Sequence, residues 1–150
     1  MDKAYLIDQL ASKLRDTAER ALKFATESRD EAKTGASRAV NLAKGTRQRM
    51  DEAQAAAAAV AEFKAQPLKK GERIGLGAIV EVEDGEGGKT LFIAPAGAGE
   101  ELTGPGGDGF LHVVTPASPL GRALMGKRVG DTAEIMVKGE LAEWEITFAM

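Results

Sequence analysis

Three carboxylates lie close together in the stretch "TESRDEAKTG": Glu27, Asp30 and Glu31. Residues three or four positions apart lie on one face of a helix, so Glu27 can share a face with either of the other two. Carboxylates grouped in this way can act together on a cation. Arg29 and Lys33 lie beside them, and the group can equally be a solvated helix end in which opposite charges pair. Both interpretations are open at this point.

Other residue types that could do chemistry are few. The chain contains no cysteine, which excludes disulfides, thiolate catalysis and sulfur-ligated zinc. The single histidine, His112, alternates with Leu111 and Val113, as expected on the surface of a strand. The stretch "GAGEELTGPGGDG" is rich in glycine but lacks the Lys-Ser/Thr ending of a phosphate-binding loop, so it predicts a flexible loop. These residues do not indicate an enzyme that acts alone.

Charge is distributed unevenly along the chain. The 150 residues carry a formal net charge of −3, yet residues 23–50 hold seven basic residues against three acidic ones, a local balance of +4. A positive segment on an acidic protein suits a place near nucleic-acid phosphates, and ordinary helix solubility explains it equally well. No aromatic residue lies between Thr26 and Glu62, so stacking on bases is not expected. The basic residues are Lys23, Arg29, Lys33, Arg38, Lys44, Arg47 and Arg49.

The sequence shows no targeting or membrane segment. The first residues, "MDKAYLIDQLASKL", lack the basic region and continuous apolar run of a signal peptide. No stretch approaches the roughly 20 apolar residues that span a bilayer. We therefore expect a soluble protein of the cytoplasm that does not bind membranes.

The composition changes near residue 67. Residues 1–66 contain no proline and only two glycines, whereas residues 67–150 contain all five prolines and sixteen glycines. Pro67 would end a helix, and Gly71 permits a turn. The composition therefore predicts two domains, 1–66 and 67–150.

The first half predicts two long helices joined by a turn. Small and apolar residues recur at alternating spacings of three and four, as in the seam of a coiled coil. Thr34-Gly35 is the best turn between them, because glycine tolerates positive φ. We expect an antiparallel coiled-coil hairpin with arms of about 25–30 residues, roughly 40 Å long; two short helices packed on the second half are the alternative. The seam residues are Ile7, Leu10, Leu14, Thr17, Ala21, Phe24 and Ser28, and then Ala39, Ala43, Thr46, Met50, Ala53, Ala57 and Val60.

The second half predicts a small sheet with one short helix. Five strand-like stretches are separated by turns rich in glycine, proline and aspartate: "AIVEVED", "KTLFIAP", "GFLHVV", "DTAEIMV" and "AEWEITFAM". The helical stretch is "LGRALMGK", and Trp144 is expected to anchor the core. We therefore expect an α+β chain in which the hairpin precedes a compact domain built on an antiparallel sheet.

The stretch "SPLGRALMGKRVGD", Ser118–Asp131, resembles the signature of the Gre transcript-cleavage factors. That signature has a Ser-Pro pair, a short helix of alanine and leucine, Gly-Lys, and Gly-Asp before a strand. The stretch "LFIAPAGAGEEL", Leu91–Leu102, is similar to a Gre-like subgroup with glycine-rich central loops. The resemblance implies an FKBP-like second domain. It does not imply prolyl isomerase activity, since fold does not fix function.

The resemblance also implies a partner. Gre factors dock on the rim of the secondary channel of RNA polymerase through their C-terminal domain, and the loop around the Ser-Pro pair belongs to the docking surface. By this resemblance, Ser118, Pro119 and Leu120 would lie at the contact with the polymerase. Pro119 would stiffen the loop and so lower the ordering cost of binding. We expect a monomer that meets nascent RNA only indirectly.

The same resemblance implies a role for the hairpin tip. In Gre factors, two acidic tip residues help to hold Mg²⁺ at the polymerase's own active centre, which hydrolyses backtracked RNA. Asp30 and Glu31, with Glu27 one turn away, are the candidate ligands here, since Mg²⁺ prefers oxygen. The protein would then bind no cofactor alone and be no enzyme by itself. The basic residues that would lie near RNA are Arg29, Lys33 and Arg38.

The tip sequence leaves the effect on the polymerase open. The family's usual tip, roughly Asp-Leu-x-Glu-Asn-Ala-Glu-Tyr, is absent from this chain. One alternative keeps the partner: the protein would inhibit or regulate the secondary channel without stimulating cleavage. The other alternative is a general coiled-coil module that binds a different protein.

Overall fold

The computed structural model describes residues 3–32, 37–104, 109–137 and 139–150. Two long helices come first, α1 (Lys3–Ala32) and α2 (Ser37–Glu62). The sheet domain follows, with strands β1 (Ile79–Asp84), β2 (Gly87–Ile93), β3 (Glu101–Thr103) and β4 (Phe110–Val114), helix α3 (Pro119–Leu124), and strands β5 (Thr132–Val137) and β6 (Glu140–Ala149). This order confirms the α+β class. None of the described helices is long and apolar enough to cross a membrane.

The helix pair, α1 and α2, packs side by side. At the start of α1, Lys3 Nζ donates a hydrogen bond to Gln66 O, just beyond the end of α2, at 3.0 Å. Leu6 and Val60 lie in one buried cluster, so the two helices run antiparallel. Their lengths of 30 and 26 residues match the long arms expected of a hairpin. The expected turn at Thr34-Gly35 lies outside the described residues.

The predicted seam of α1 is correct near the sheet and wrong further along. Ile7, Leu10 and Leu14 are buried, but Phe24 is 49% exposed. The buried stripe near the sheet is also wider than a coiled-coil seam. There α1 packs against both α2 and the sheet, and a helix with two partners needs a wider apolar face. The additional buried residues of α1 are Leu6, Ala11 and Ala18.

The described strands form one six-stranded sheet in the order β3-β4-β2-β1-β6-β5. Four of the pairings are antiparallel, but β2 and β4 run parallel, with Leu91 opposite His112. The expectation of an antiparallel sheet is therefore corrected to a mixed one. The reason is the long connection over residues 94–109, which returns the chain so that β4 starts at the same end of the sheet as β2.

The stretch predicted as a flexible glycine-rich loop contains strand β3. Leu102 lies opposite Leu111 in the β3–β4 pair and is fully buried. Helix α1 covers this sheet edge: the Gln9 side-chain amide accepts a hydrogen bond from Thr103 N at 2.8 Å and donates one to Thr103 O at 3.0 Å. Because pairing and burial stabilise Glu101–Thr103, the loop prediction was wrong for these residues. Residues 105–108 of the same stretch lie outside the described residues.

The centre of the sheet is buried on both faces, because neighbouring residues of a strand point to opposite sides. The helix-side core contains the buried residues Ile79, Phe92, Ala94, Leu102, Leu111 and Val113 beneath the helix pair. The α3-side core contains Ile74, Ala78, Val80, Val82, Leu91, Ile93, Val114, Leu124, Ala133 and Ile146. Trp144 packs against the α3-side core, as expected of a core anchor. The helix pair and α3 therefore lie on opposite faces of one sheet.

Candidate functional site

The Ser-Pro segment forms the start of α3. Ser118 is the N-cap residue, in extended backbone with φ −71° and ψ 154°, and Pro119 is the first helical residue. Proline suits this position because its missing N–H would have no partner within the helix. Leu124 is buried in the α3-side core, and Leu120 and Ala123 pack against it. The predicted short helix is present, but it begins at Pro119, which was expected in the preceding loop, and it ends at Leu124 and not at Lys127.

The Ser118 side chain makes three hydrogen bonds within the segment. Its Oγ accepts from Gly121 N at 3.2 Å and from Thr115 N at 3.3 Å, and it donates to Thr115 O at 2.8 Å. The Ser118 backbone adds two more, with its N–H donating to Thr115 O at 3.0 Å and its carbonyl accepting from Arg122 N at 2.8 Å. The turn before α3 and the first turn of the helix are therefore joined through one residue.

Gly121 makes this arrangement sterically feasible. A Cβ at this position would lie 1.8 Å from Thr115 O and 2.9 Å from Ser118 Oγ. Gly121 was not among the residues predicted from the sequence to form the site. The sequence offers one signal for this residue. Glycine inside a helix costs about 1 kcal/mol relative to alanine, so a glycine in so short a helix indicates that another group approaches the backbone too closely for a Cβ.

The second part of the signature forms the turns that follow α3. Gly126 has φ +80° and Gly130 has φ +96°, values that favour glycine, so both glycines permit turns of the chain. Gly126 N donates to Ile74 O at 2.8 Å and ties the end of α3 to the sheet domain. The Asp131 carboxylate accepts from Arg128 N at 2.9 Å. The Gly-Lys and Gly-Asp pairs thus form the turns that connect α3 to β5.

The outer surface of α3 carries Pro119 and Arg122, both of which are exposed. They are three residues apart, so they lie on one helix face. Leu120 is half-buried between this surface and the core. Arg122 was not among the residues predicted to lie at the polymerase contact. Its spacing from Pro119, in a helix whose other side is apolar, is the signal in the sequence that indicates it.

An open groove of about 350 Å³ lies between α3 and the sheet. Its lining includes Pro119, Leu120, Lys89, His112, Ile135 and Met136. His112 Nδ1 is 3.7 Å from Glu101 Oε1 on the neighbouring strand, so the histidine has the strand-surface place that was expected. The described residues contain no group of three or more His, Asp or Glu side chains able to hold a metal ion. The groove is suited to binding an apolar surface.

The candidate tip residues belong to the far ends of the helix pair. Glu27, Asp30 and Glu31 lie in the last turns of α1, which ends at Ala32. Their side chains lie outside the described part of the structure, as do those of Arg29 in α1 and Arg38 in α2, and Lys33 lies outside it entirely. Their roles remain predictions from the sequence.

Comparison with known proteins identifies the second half of the chain. The family model "Transcription elongation factor, GreA/GreB, C-term" matches residues 69–148. The transcription elongation factor GreA of Verminephrobacter eiseniae (strain EF01-2) is 33% identical over 76 residues, which are 51% of this chain and 44% of that protein. The "Transcription inhibitor protein Gfh1" of Thermus aquaticus is 41% identical over 68 residues, which are 43% of this chain and 39% of that protein. The matched region thus spans less than half the length of these relatives.

Solved structures of Gre-like proteins also align with the chain. Gfh1 of Thermus thermophilus, described as GreA factor homolog 1, aligns at 21% identity over 97% of this chain and 93% of that one, with a TM-score of 0.38. Gfh1 of Thermus aquaticus aligns at 20% identity over 92% of each chain, with a TM-score of 0.41. Since both TM-scores are below 0.5, these superpositions do not establish a shared placement of the helices and the sheet.

The family match covers more than half of the chain and includes strands β1 to β5, all but the last residue of β6, helix α3 and the turns after it. The Ser-Pro signature lies inside the match, at the place where the structure builds the capped start of α3. The chain therefore belongs to the GreA/GreB family of transcription elongation factors, through the C-terminal domain of that family.

Proposed function

We propose that this protein binds RNA polymerase at its secondary channel and modulates transcription elongation. The observation that carries the proposal is the match to the GreA/GreB C-terminal domain over residues 69–148. In this proposal the sheet domain docks on the polymerase through the outer surface of α3, where Pro119 and Arg122 are exposed. A rigid, capped helix start supports docking because little backbone freedom is lost on binding.

The helix pair would reach inward from the docked sheet domain. The sheet contacts α1 through Gln9 and Lys13, so the residues beyond them extend away from this contact. At ~1.5 Å per residue, the nineteen residues of α1 beyond Lys13, which end at Ala32, cover about 28 Å. This part of α1 holds Lys23 and Arg29, and α2 holds four more of the basic residues of 23–50; their charge would favour a place near RNA phosphates.

In the first form of the proposal, the protein stimulates cleavage of backtracked RNA. Asp30 and Glu31 would supply carboxylate ligands to Mg²⁺ at the polymerase active centre, with Glu27 in a lesser role. Arg29, Lys33 and Arg38 would lie along the RNA. The reaction itself would belong to the polymerase.

In the second form, the protein inhibits transcription by occupying the channel. One relative of the matched region is named as GreA and the other as a transcription inhibitor, so the matched region is shared by both forms. The observation that favours the inhibiting form is the absence of the usual tip sequence. Both forms share the docking surface and differ only in what the tip does.

One experiment tests the proposal and separates its forms. A stalled, backtracked elongation complex is incubated with Mg²⁺, with the protein added or omitted, and binding and RNA length are measured. Binding that a GreA protein competes away supports the proposal; shortened RNA then indicates the stimulating form, and reduced elongation without shortening indicates the inhibiting form. Absence of binding to core polymerase and to the elongation complex would overturn the proposal and favour a coiled-coil module with another partner.

A further inference from the structure

We infer that Ser118 is a positioning residue, whose hydroxyl fixes the presentation of Pro119 to the polymerase without contacting the polymerase itself. This inference rests on the proposed function, because it concerns the docking surface named there. It reverses the role that the family resemblance suggested for Ser118, which was a direct contact.

The hydrogen-bonding capacity of the hydroxyl carries the inference. A serine hydroxyl has one donor and two acceptor lone pairs. Ser118 Oγ donates to Thr115 O and accepts from both Thr115 N and Gly121 N, at 2.8, 3.3 and 3.2 Å. All three positions are used within the segment, so an added bond to a partner would require one of them to break.

The bonded groups lie on either side of Pro119. Thr115 belongs to the turn before α3, and Gly121 is the third residue of the helix. Capping of this third N–H by the N-cap side chain holds the first helical turn closed. Pro119 has no N–H of its own, so its place depends on the bonds of its neighbours. Loss of the hydroxyl would remove these three bonds and leave only the two backbone bonds of Ser118, so the first turn and the Pro119 ring would be held less firmly.

Steric packing restricts the same segment. Gly121 approaches Thr115 so closely that a Cβ would lie 1.8 Å from Thr115 O. Ser118 is half-buried, whereas Pro119 is exposed. The exposed ring thus projects from a backbone that the hydroxyl and the glycine hold in one conformation. Pro119 is thus the residue that would contact the polymerase, and Ser118 is the residue that orients Pro119.

Two measurements test the inference, and the first uses the free protein. Amide hydrogen exchange is followed at Gly121 and Arg122 in the wild type, Ser118→Ala and Ser118→Thr. We expect exchange at Gly121 to rise about fivefold in Ser118→Ala and to stay within about twofold of the wild type in Ser118→Thr, since threonine is also an effective N-cap. Unchanged protection in Ser118→Ala would overturn the inference whether or not the protein binds polymerase.

The second measurement is a double-mutant cycle for polymerase affinity with Pro119→Ala. If the hydroxyl acts through Pro119, Ser118→Ala weakens binding about fivefold in the wild type and less than about twofold in the Pro119→Ala background. Ser118→Thr retains wild-type affinity. A fivefold loss in both backgrounds would show an independent contact and overturn the inference. If the wild type does not bind polymerase, the proposed function fails, and the docking role of Ser118 fails with it even where the exchange result holds.

Discussion

Leu10 of α1 packs directly on Gly97, in the connection between β2 and β3. Gly97 has φ +92°, and a Cβ at this position would lie 2.9 Å from Leu10 Cδ1. Leu10 is fully buried in the cluster that also contains Phe92 and Leu111 of the sheet. The helix pair is thus fixed to the sheet domain by a close approach of side chain to backbone.

Gly97→Ala is expected to destabilise the protein through this contact. An added Cβ would meet Leu10, and overpacking of this kind costs about 1–3 kcal/mol of unfolding free energy. Gly99→Ala is the matched control, because Gly99 also has φ +92° but has nothing within 4 Å of the added Cβ. Both variants place alanine at a positive φ and therefore share the same backbone strain. The difference between their unfolding free energies in urea measures the steric contact with Leu10. Equal losses of stability would show that the Leu10 contact contributes nothing.

The sheet domain alone is expected to be less stable than the full chain. Without the helix pair, residues 67–150 would expose the helix-side core, and burial of each large side chain contributes roughly 1.5–3 kcal/mol. The side chains concerned are Ile79, Phe92, Leu102, Leu111 and Val113. We expect a lower thermal midpoint and increased binding of an apolar dye relative to the full chain. A monomeric fragment with the midpoint of the full chain would contradict this prediction.

Trp144→Phe is expected to change stability by less than about 1 kcal/mol. The Trp144 indole Nε1 is buried without a hydrogen-bond partner among the described residues, so its removal breaks no bond. Trp144→Ala removes the packing as well and, because Trp144 is only partly buried, should cost about 3 kcal/mol, the low end for a large aromatic side chain. Chemical unfolding of the two variants provides the comparison. A loss in Trp144→Phe as large as that in Trp144→Ala would show that the indole N–H has a partner.

Lys89 offers a related test. Lys89 Nζ lies 5.3 Å from the centroid of the Trp144 ring. A cation–π contact at an exposed site contributes about 0.5–1 kcal/mol, so Lys89→Met should destabilise the wild type by that amount and leave the Trp144→Ala variant unchanged. An equal effect in both backgrounds would exclude the contact as its cause.

Arg122→Glu is expected to weaken polymerase binding while the fold is retained. Arg122 is exposed on the same helix face as Pro119, so the change reverses a charge within the proposed contact. Lys69→Glu, another exposed residue with the same charge change, is the control. Affinity is measured by titration at two salt concentrations, because a charged contact is screened by salt. Equal weakening by both variants would indicate a non-specific effect of net charge.

Variants of the carboxylates Glu27, Asp30 and Glu31 test the stimulating form of the proposed function. If the wild type stimulates cleavage, Asp30→Ala combined with Glu31→Ala should abolish the stimulation and leave docking intact, since docking would reside in the sheet domain. Glu27→Ala should have a smaller effect, because Glu27 lies about one helical turn further from the end of α1. RNA cleavage in a backtracked complex is the measurement. If cleavage persists without all three carboxylates, the metal-ligand role is wrong, and Arg29, Lys33 and Arg38 become the better candidates.

Features that depend on residues close together in the sequence could be predicted from the sequence alone. The two long helices follow from apolar spacing, and a short helix after the Ser-Pro pair follows from the stretch "LGRALMGK". The turns at Gly126 and Gly130 follow from the conformational freedom of glycine. Each of these signals acts within one or two helical turns of the chain, so no knowledge of distant residues is needed.

Other features depend on contacts between residues that are distant in the sequence. The parallel pairing of β2 with β4 and the strand at Glu101–Thr103 depend on partners that the sequence does not place. The exposure of Phe24 depends on where the sheet stops covering α1, and the need for glycine at residue 121 depends on the approach of Thr115 O. The sequence alone determined which residue types were available at the docking segment. The tertiary structure decided which of them face outward, because burial and the use of hydrogen-bonding groups depend on atoms brought together by the fold.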